Sequence, residues 1–108
     1  MGDLEKKKCT PCTAGTVPIK GKALLELKKQ LKEGWNIVDE HHLEKEYKLK
    51  NFKEALALTC EIGRIAEEEG HHPVITLTWG KVIVKIWTHK IDGLSENDFI
   101  LAAKCDRL

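Results

Sequence analysis

Long hydrophobic runs are missing from this sequence of 108 residues. A membrane-spanning helix needs about 20 consecutive apolar residues, and no stretch approaches that length. No stretch resembles the apolar region of a secretory signal peptide either. We therefore expect a cytoplasmic protein that has no membrane partner.

A surplus of charge of one sign is also missing. The chain carries 18 Lys and Arg against 17 Asp and Glu, which gives a net charge of +1 and a pI of about 7.7. Proteins that bind the phosphate backbone of nucleic acids concentrate basic residues on one surface. We therefore expect no nucleic-acid partner.

Closely spaced cysteine pairs are few. Of the four cysteines, only Cys9 and Cys12 form a C-x-x-C pair, whereas Cys60 and Cys105 lie far apart in helical patterns. A zinc ribbon needs a second close pair, and a redox C-x-x-C is expected between a strand and a helix rather than in a leader rich in Thr, Pro and Gly. We interpret the cysteines as ordinary reduced thiols, and we expect no metal.

Size and composition indicate one small domain. The chain has a mass of 12.2 kDa, with 42% hydrophobic and 32% charged residues, as is typical of a globular protein. Residues 1–20 lack periodicity and predict a flexible N-terminal arm, so the domain is expected to span residues 21–108. A core this small leaves little room for a deep pocket, and a subunit interface is expected to help build any site.

The spacing of apolar residues predicts the order helix, two strands, helix, two strands, helix. The predicted elements are a helix at 21–33, strands at 35–40 and 43–50, a helix at 51–69, strands at 74–79 and 81–88, and a last helix capped by Ser95. This order predicts an α+β fold of two layers, in which an antiparallel four-stranded sheet is covered on one side by helices. The second helix begins with a capping box, Asn51 and Glu54, and is apolar on more than one face. That pattern favours a helix that also packs on another subunit.

The second hairpin has the clearest strand pattern. Gly80 lies between two runs rich in β-branched and aromatic residues, which predicts a two-residue type II′ turn with Gly80 first. That register pairs Leu77 with Val84 and gives a continuous apolar face, whereas a slip by one residue would exchange the two faces. Extended by two residues, the ladder places His72 opposite His89, with their Cβ atoms about 5 Å apart.

Groups that hold or move protons are concentrated in about a third of the sequence. The candidates for catalysis are Glu67, His71, His72, His89 and Asp98. Histidine exchanges protons near neutral pH, so converging imidazoles can act as acid and base on one small substrate. Either Trp87 or Trp35 is expected to offer a flat apolar wall to an aromatic ring.

Simpler explanations exist for several of these residues. Asp98 is also the third residue of the helix that Ser95 caps, and Glu67 opens a run of three glutamates that suits a solvated helix face. His41-His42 lacks a following proline and a carboxylate one turn before, so we expect this pair to be solvated and to have no role. A three-histidine metal site is disfavoured, because neighbouring side chains on a strand point to opposite faces.

The spacing of the candidate residues resembles a known signature. Glu67-x3-His71-His72-Pro73-x5-Trp79-x9-His89-x8-Asp98 is similar to the pattern of the pterin-4a-carbinolamine dehydratases. The likeness covers about residues 21–108, and it includes Gly34-Trp35, Lys50-Asn51-Phe52, Thr88-His89 and Gly93-Leu94-Ser95-Glu96. The leader Cys9-Thr10-Pro11-Cys12 is similar to the N-terminal arm of many bacterial members.

The resemblance implies an enzyme that removes the 4a-hydroxyl from a 4a-hydroxytetrahydropterin and gives the quinonoid dihydropterin, with no metal or organic cofactor. Such a step regenerates the pterin of aromatic amino-acid hydroxylases, which implies a functional link to one. By the family pattern, His71 and His89 are the acid–base pair and His72 holds the substrate. Glu67 and Asp98 orient the histidines. The residues expected to bind the substrate are Gly70, His71, His72, Pro73, Trp87, Thr88, His89 and Trp35.

Members of the family form dimers and tetramers, so the resemblance implies a homodimer or homotetramer. It also leaves two other functions open: a dimerisation cofactor of a transcription factor, and a relative that acts in molybdopterin metabolism. The bacterial type of leader favours the enzyme over the transcriptional role. The sequence departs from the family pattern at Gly70, where a polar or acidic residue is common, and at Trp87, where a small hydroxyl residue is common.

Overall fold

The computed structural model describes residues 4–10 and 15–108. Its main elements are α1 (Lys22–Lys28), β1 (Asn36–Val38), β2 (His42–Lys48), α2 (Phe52–Glu69), β3 (Val74–Thr78), β4 (Lys81–Ile86) and α3 (Glu96–Cys105). Two short 3₁₀ helices, Leu4–Lys6 and His89–Ile91, precede α1 and α3. The strands form one antiparallel sheet in the order β1-β2-β4-β3. The predicted α+β fold with a four-stranded antiparallel sheet is confirmed.

One face of the sheet carries the hydrophobic core. Alternate residues of β4, namely Val82, Val84 and Ile86, have no exposed surface, because successive side chains of a strand point to opposite faces. Ile62 of α2 and Phe99 of α3 are equally buried and belong to the same cluster. Burying an apolar side chain of this size stabilises the fold by about 1.5–3 kcal/mol relative to leaving it exposed.

The register of the β3–β4 hairpin differs from the prediction. Leu77 pairs with Val82 rather than with Val84, and Thr78 pairs with Lys81. The difference is two residues, so every side chain stays on its predicted face, whereas a slip by one residue would have exchanged the faces. The apolar pattern therefore predicts the buried face and does not distinguish these two registers.

The hairpin turn consists of Trp79 and Gly80 rather than Gly80 and Lys81. Neither Trp79 nor Gly80 has a positive φ, so the predicted type II′ turn is wrong. The Gly80 carbonyl accepts a hydrogen bond from the Leu49 amide at 2.9 Å, and the Thr78 hydroxyl donates to the Lys81 carbonyl at 3.0 Å. The first bond attaches the turn to the residue after β2, the second closes the hairpin itself, and both favour the observed register.

The first helix is shorter than predicted. It ends at Lys28 instead of residue 33, because the amides of Gln30 and Leu31 donate to carbonyls three residues back and tighten the chain into turns. The Lys32 amide donates to the Asp106 carboxylate at 2.9 Å. The long-range contact between Lys32 and Asp106 thus replaces the further helical turn that the sequence alone predicts.

The turn between β1 and β2 begins at Asp39, inside the range predicted for the first strand. Asp39 and Glu40 have left-handed φ angles of 53° and 55°, and the His41 amide donates to the Val38 carbonyl at 2.8 Å. Both strands are shorter than expected, since β1 ends at Val38 and β2 ends at Lys48. The turn presents the side chains of His41 and His42 side by side.

Residues 4–10 of the N-terminal segment contact the domain. Leu4 is only 2% exposed, and the Lys104 ammonium donates to the Glu5 carbonyl at 2.9 Å. Leu4 packs in the hydrophobic core, and its 3₁₀ helix contacts α3, a long-range contact that no short-range pattern reveals. Residues 1–3 and 11–14, including Cys12, lie outside the described part of the chain.

The second helix has one buried face and one open apolar face. The Asn51 side chain accepts a hydrogen bond from the Glu54 amide at 2.9 Å, as the capping box predicts. Ala55 is fully buried, whereas Phe52 and Leu56 are 44% and 43% exposed.

In the described part of the chain, no helix combines the length and hydrophobicity needed to cross a bilayer.

Asp106 is a buried carboxylate that joins three parts of the chain. It accepts hydrogen bonds from Nε1 of Trp35 and from the Lys32 amide, each at 2.9 Å, and its Oδ1 lies 3.5 Å from the Lys45 ammonium. Charged donors and a buried indole N–H compensate for the loss of water around the carboxylate.

We predict that Asp106→Ala lowers the free energy of unfolding by about 2–4 kcal/mol, because the buried Trp35 N–H and the Lys45 ammonium lose their acceptor. Urea denaturation followed by circular dichroism measures this change. The control Glu46→Ala, on an exposed position of β2, should change stability by less than about 0.5 kcal/mol. A loss below about 1 kcal/mol for Asp106→Ala would show that the carboxylate is dispensable.

Candidate active site

A cavity of about 490 Å³ opens where the C-terminus of α2, the end of β4, the N-terminus of α3 and the N-terminal segment meet. Six of the predicted site residues line it: Gly70, His71, His72, Trp87, Thr88 and His89. Five residues that the sequence did not single out for the site also line it: Cys9, Thr10, Glu69, Lys90 and Asn97. The structure therefore brings together most of the predicted set at one place.

Gly70 directs the chain from α2 into the cavity. It ends the helix with a left-handed φ of 65°, a conformation that glycine adopts without strain. The His71 amide then donates back to the Ala66 carbonyl at 3.2 Å. This turn places His71 and His72 directly at the end of α2, before β3 begins.

Asp98 holds His71 from behind the cavity. The carboxylate has no exposed surface, and its Oδ1 lies 2.5 Å from Nε2 of His71. Its Oδ2 accepts hydrogen bonds from the Ser95 amide at 2.8 Å and from the Thr88 hydroxyl at 2.9 Å. One oxygen thus caps α3 and the other contacts the His71 imidazole, so both contacts coexist in one side chain.

The partner of His71 fixes which of its nitrogens is free. A carboxylate only accepts hydrogen bonds, so Nε2 of His71 carries the hydrogen that Asp98 receives. Among the described residues, no group hydrogen-bonds to Nδ1 of His71. Nδ1 is therefore the atom through which this imidazole can exchange a proton with a ligand in the cavity.

His72 has a weaker support than His71. Its Nε2 lies 2.8 Å from Oε1 of Glu67, but the two side chains are 62% and 82% exposed. Water screens an ion pair of this kind, which is worth little energy. Glu67 therefore contacts His72 at the rim of the cavity but holds it only weakly, and it does not line the cavity itself.

His89 reaches the cavity from the 3₁₀ helix that follows β4. Its ring stacks on Trp87, with the ring centroids 4.3 Å apart and the planes at 25°. The predicted cross-strand pairing of His72 with His89 is wrong, because β4 ends at Ile86 and β3 begins only at Val74. The two imidazoles meet through the cavity that both line rather than across a ladder.

Two predicted binding residues lie away from the cavity lining. Trp35 is 2% exposed and packs in the core, with its Nε1 bonded to Asp106. Its burial excludes the predicted role as a wall for an aromatic ligand. Pro73 separates His72 from β3 and acts on the direction of the backbone rather than on the cavity surface.

The His41-His42 pair is not solvated as predicted. The side chains are 32% and 16% exposed, and both rings pack against Trp87. The prediction was wrong because it rested on the neighbouring sequence alone. Trp87 follows β4, which is the neighbour of β2 in the sheet, and so comes close to this pair.

The N-terminal segment forms one wall of the cavity. The Cys9 amide donates to Oε1 of Glu69 at 2.9 Å, and the Thr10 amide donates to Oδ1 of Asn97 at 2.9 Å. The Asn97 side-chain amide donates in return to the Thr10 carbonyl. Each of these contacts spans at least 60 positions, so nothing in the local pattern of residues 1–20 predicts them.

The chemistry of the wall excludes a nucleophilic role for its thiol. Burial, together with the negative charges of Glu69 and Asp98, raises the pKa of Cys9 to about 12, so its sulfur stays protonated at neutral pH. Within residues 4–10 and 15–108, no three His, Cys, Asp or Glu side chains are arranged to hold a metal ion. The imidazoles of His71, His72 and His89 are the cavity groups that exchange protons near neutral pH.

Comparison with known proteins decides the family. The model of the pterin 4 alpha carbinolamine dehydratase family matches residues 18–108. The chain belongs to this family. The resemblance seen in the sequence is therefore confirmed.

Individual dehydratase relatives agree with this result. A protein of Alkaliphilus metalliredigens is 53% identical over 107 residues, covering 99% of this chain and 96% of its own length. A protein of Rubrobacter xylanophilus is 49% identical over 108 residues, covering both chains completely. Each is named "putative pterin-4-alpha-carbinolamine dehydratase".

A solved structure supports the dehydratase fold. A crystal structure from Brucella melitensis superposes with a TM-score of 0.77 and 26% sequence identity, covering 83% of this chain and 96% of that one. It is described as a "transcriptional coactivator/pterin dehydratase".

The Glu69 side chain, which is only 6% exposed, anchors the N-terminal wall. Burial alone would raise the pKa of Glu69, but the Cys9 amide and the ammonium groups of Lys104 and Lys8 outweigh it and lower the pKa below its usual value of 4.5. A carboxylate with a lowered pKa stabilises the fold above the unfolded value, and that stabilisation is lost as the pH falls through the folded value.

We predict that Glu69→Gln lowers the free energy of unfolding by about 1–2 kcal/mol at pH 7, because the Cys9 amide and Lys104 lose a charged acceptor. The difference from the wild type should shrink as the pH falls below about 4.5, where the unfolded chain becomes protonated first. Denaturation at several pH values measures it. The exposed neighbour Glu68→Gln is the control, and a difference independent of pH would contradict the assignment.

Proposed function

We propose that the chain is an active lyase that dehydrates a 4a-hydroxytetrahydropterin to the quinonoid dihydropterin by histidine acid–base catalysis. The observation that carries this proposal is the convergence of His71, His72 and His89 on one cavity, with His71 fixed by the buried Asp98. Membership in the dehydratase family supports the same reaction. A volume of about 490 Å³ also suits a bicyclic ligand.

The reaction needs an acid and a base on one substrate. The bond between C4a and the hydroxyl oxygen breaks, the adjacent ring nitrogen loses its proton, and a C=N double bond forms while water departs. Hydroxide is a poor leaving group, so an imidazolium protonates the oxygen as the bond breaks. Electrons of the ring nitrogen assist this step, and a neutral imidazole takes the proton from that nitrogen. Each well-placed proton transfer contributes about 10²–10⁴ in rate.

The surroundings of the two imidazoles suggest how the roles divide. His71 suits the base, since its Nδ1 is free and the Asp98 carboxylate stabilises the imidazolium that forms. His89 suits the acid, since its ring lies on the face of Trp87, and an indole face attracts a cation. Neither step calls for a metal or an organic cofactor.

The remaining cavity residues suit substrate binding. His72, steered by Glu67, lies at the rim, where a hydrogen bond to the pterin would hold it in place. Gly70 leaves the entrance free of a side chain, and Trp87 provides the flat wall that Trp35 does not. Thr88 lines the cavity and donates a hydrogen bond to Asp98. The proposed pathway is pterin recycling in the cytoplasm, alongside an aromatic amino-acid hydroxylase.

We further propose that the protein works as a homodimer or homotetramer. Phe52 and Leu56 form an apolar surface on α2, and β3 is an edge strand whose Val74 is 40% exposed. Such surfaces are unusual on a small monomer and suit contact with another copy.

Light scattering at micromolar concentration should give the mass of a dimer or a tetramer. Leu56→Glu should reduce the mass or raise the concentration needed for assembly, because it places a charge on the apolar α2 surface. The control Glu61→Gln changes an exposed residue of α2 that pairs with Arg64. A monomeric wild type would reject the assembly and leave the catalytic proposal to be tested separately.

Two alternatives stand beside the enzyme. The Brucella melitensis protein is described as a transcriptional coactivator as well as a pterin dehydratase, so a protein-interaction role is the second candidate. A role in molybdopterin metabolism, with dehydration secondary, is the third. Turnover by the isolated protein distinguishes the enzyme from an interaction module, which would give only a stable complex with a partner.

We predict that His89→Ala and His71→Ala each lower kcat on a synthetic 4a-hydroxytetrahydropterin by about 10²–10⁴. His89→Ala should cost little stability, whereas His71→Ala should also lower the stability, because the buried Asp98 carboxylate loses a donor. Asp98→Asn should lower kcat as well and should also destabilise the N-terminus of α3, because the Asp98 carboxylate caps it. Stopped-flow absorbance measures the turnover. The control Glu68→Gln should keep wild-type turnover, and full activity of His89→Ala would show that the acid is assigned wrongly.

A further inference from the structure

The ring of Trp87 contacts three imidazoles. His89 stacks on it at 4.3 Å between centroids, while His41 and His42 lie at 5.2 and 5.8 Å with tilted planes. Aromatic pairs at such distances attract each other beyond the effect of burying their area. The position of the indole is therefore set from the β1–β2 turn as well as from β4.

His41 also contacts the 3₁₀ helix that carries His89. Nε2 of His41 lies 2.8 Å from Oδ1 of Asp92, which ends that helix with a left-handed φ of 49°. The Asp92 amide in turn donates to the His89 carbonyl at 3.2 Å. A single imidazole thus touches both supports of His89, which are the Trp87 ring and the Asp92 turn.

The hydrogen bonds give the pair one consistent arrangement when both rings are neutral. Nε2 of His41 donates to Asp92, so its Nδ1 is an acceptor, and it lies 3.0 Å from Nδ1 of His42. His42 then carries its hydrogen on Nδ1. The two rings orient each other at an interplanar angle of 84°.

We propose that His41 and His42 are positioning residues that orient His89 through Trp87 and Asp92. This inference rests on the proposed function, because it assigns the pair an effect on the same catalytic site. Neither histidine lines the cavity, so both act through other residues. His41 ends the β1–β2 turn and His42 begins β2, so the start of this strand thereby takes part in building the site.

The expected effect is on turnover rather than on folding. Asp92 is 88% exposed and His41 is 32% exposed, so their ion pair contributes little to stability. The orientation of a catalytic group, in contrast, affects the rate steeply, since a displacement of about 1 Å can cost about 10²-fold. Loss of the support should therefore lower kcat more than it raises KM.

A double-mutant cycle tests whether His41 acts through His89. His41→Ala should lower kcat about tenfold with KM nearly unchanged. In the His89→Ala background the same change should have no further effect, because the group that it orients is gone. Asp39→Asn, a change in the same turn to a residue that tolerates a left-handed φ, is the control and should keep wild-type kcat.

Two further substitutions of His41 separate its contact with Asp92 from its contact with Trp87. His41→Gln keeps an amide donor able to reach Asp92, and His41→Phe keeps an aromatic ring against Trp87. Each should recover part of the kcat that His41→Ala loses. Equal kcat in all three variants would contradict both links.

NMR gives a readout that needs no turnover. Because His89 stacks on Trp87, the ring current of the indole shifts the ring protons of His89 upfield, and these signals are identified by their loss in His89→Ala. His41→Ala should move them toward the values of an unstacked histidine. An unchanged shift, unchanged kcat or strictly additive losses in the cycle would overturn the proposal. A wild type without turnover would reject the proposed function alone, and the ring shift would then decide whether His41 holds His89.

Discussion

The burial of the Asp98 carboxylate is the constraint on which the site depends. A charge with no exposed surface costs several kcal/mol unless donors replace the lost water. Three donors do so here: the Ser95 amide at the start of α3, the Thr88 hydroxyl after β4, and the His71 imidazole after α2. Each donor comes from a different segment, so the hydrogen bonds to this one carboxylate bring the end of α2, the end of β4 and the start of α3 together. The cavity lies beside this junction, and the same three segments supply His71, His72 and His89 to its lining or support them.

The three cavity histidines differ in how firmly the fold holds them. His71 is tied to a buried acceptor, His72 to an exposed Glu67, and His89 to the face of Trp87. This gradation matches the proposed division of labour, in which a proton-transfer group needs fixed geometry and a binding group at the rim tolerates freedom. The N-terminal segment completes the enclosure, so a wall of the cavity comes from the part of the chain with the weakest pattern.

Much of the fold follows from the sequence because its signals are local. Alternation along β4 predicts the face that is buried, and Ser95 with Asp98 predicts the start of α3. The hairpin register does not follow, because two registers that differ by two residues bury the same side chains. Trp35 and the His41 pair were misjudged for another reason. Their surroundings are made by residues distant in sequence, and a short pattern contains no information about them.

The central claim is that one bicyclic pterin lies among imidazoles that the fold has already oriented. The most direct measurement is a crystal structure of the protein with a stable pterin analogue that lacks the 4a-hydroxyl. We predict that the ring occupies the cavity, with its C4a edge within hydrogen-bond reach of both Nδ1 of His71 and the ring of His89, and with the His71–Asp98 bond intact. A pterin bound outside the cavity, or a His71 turned away from Asp98 in the complex, would contradict the account.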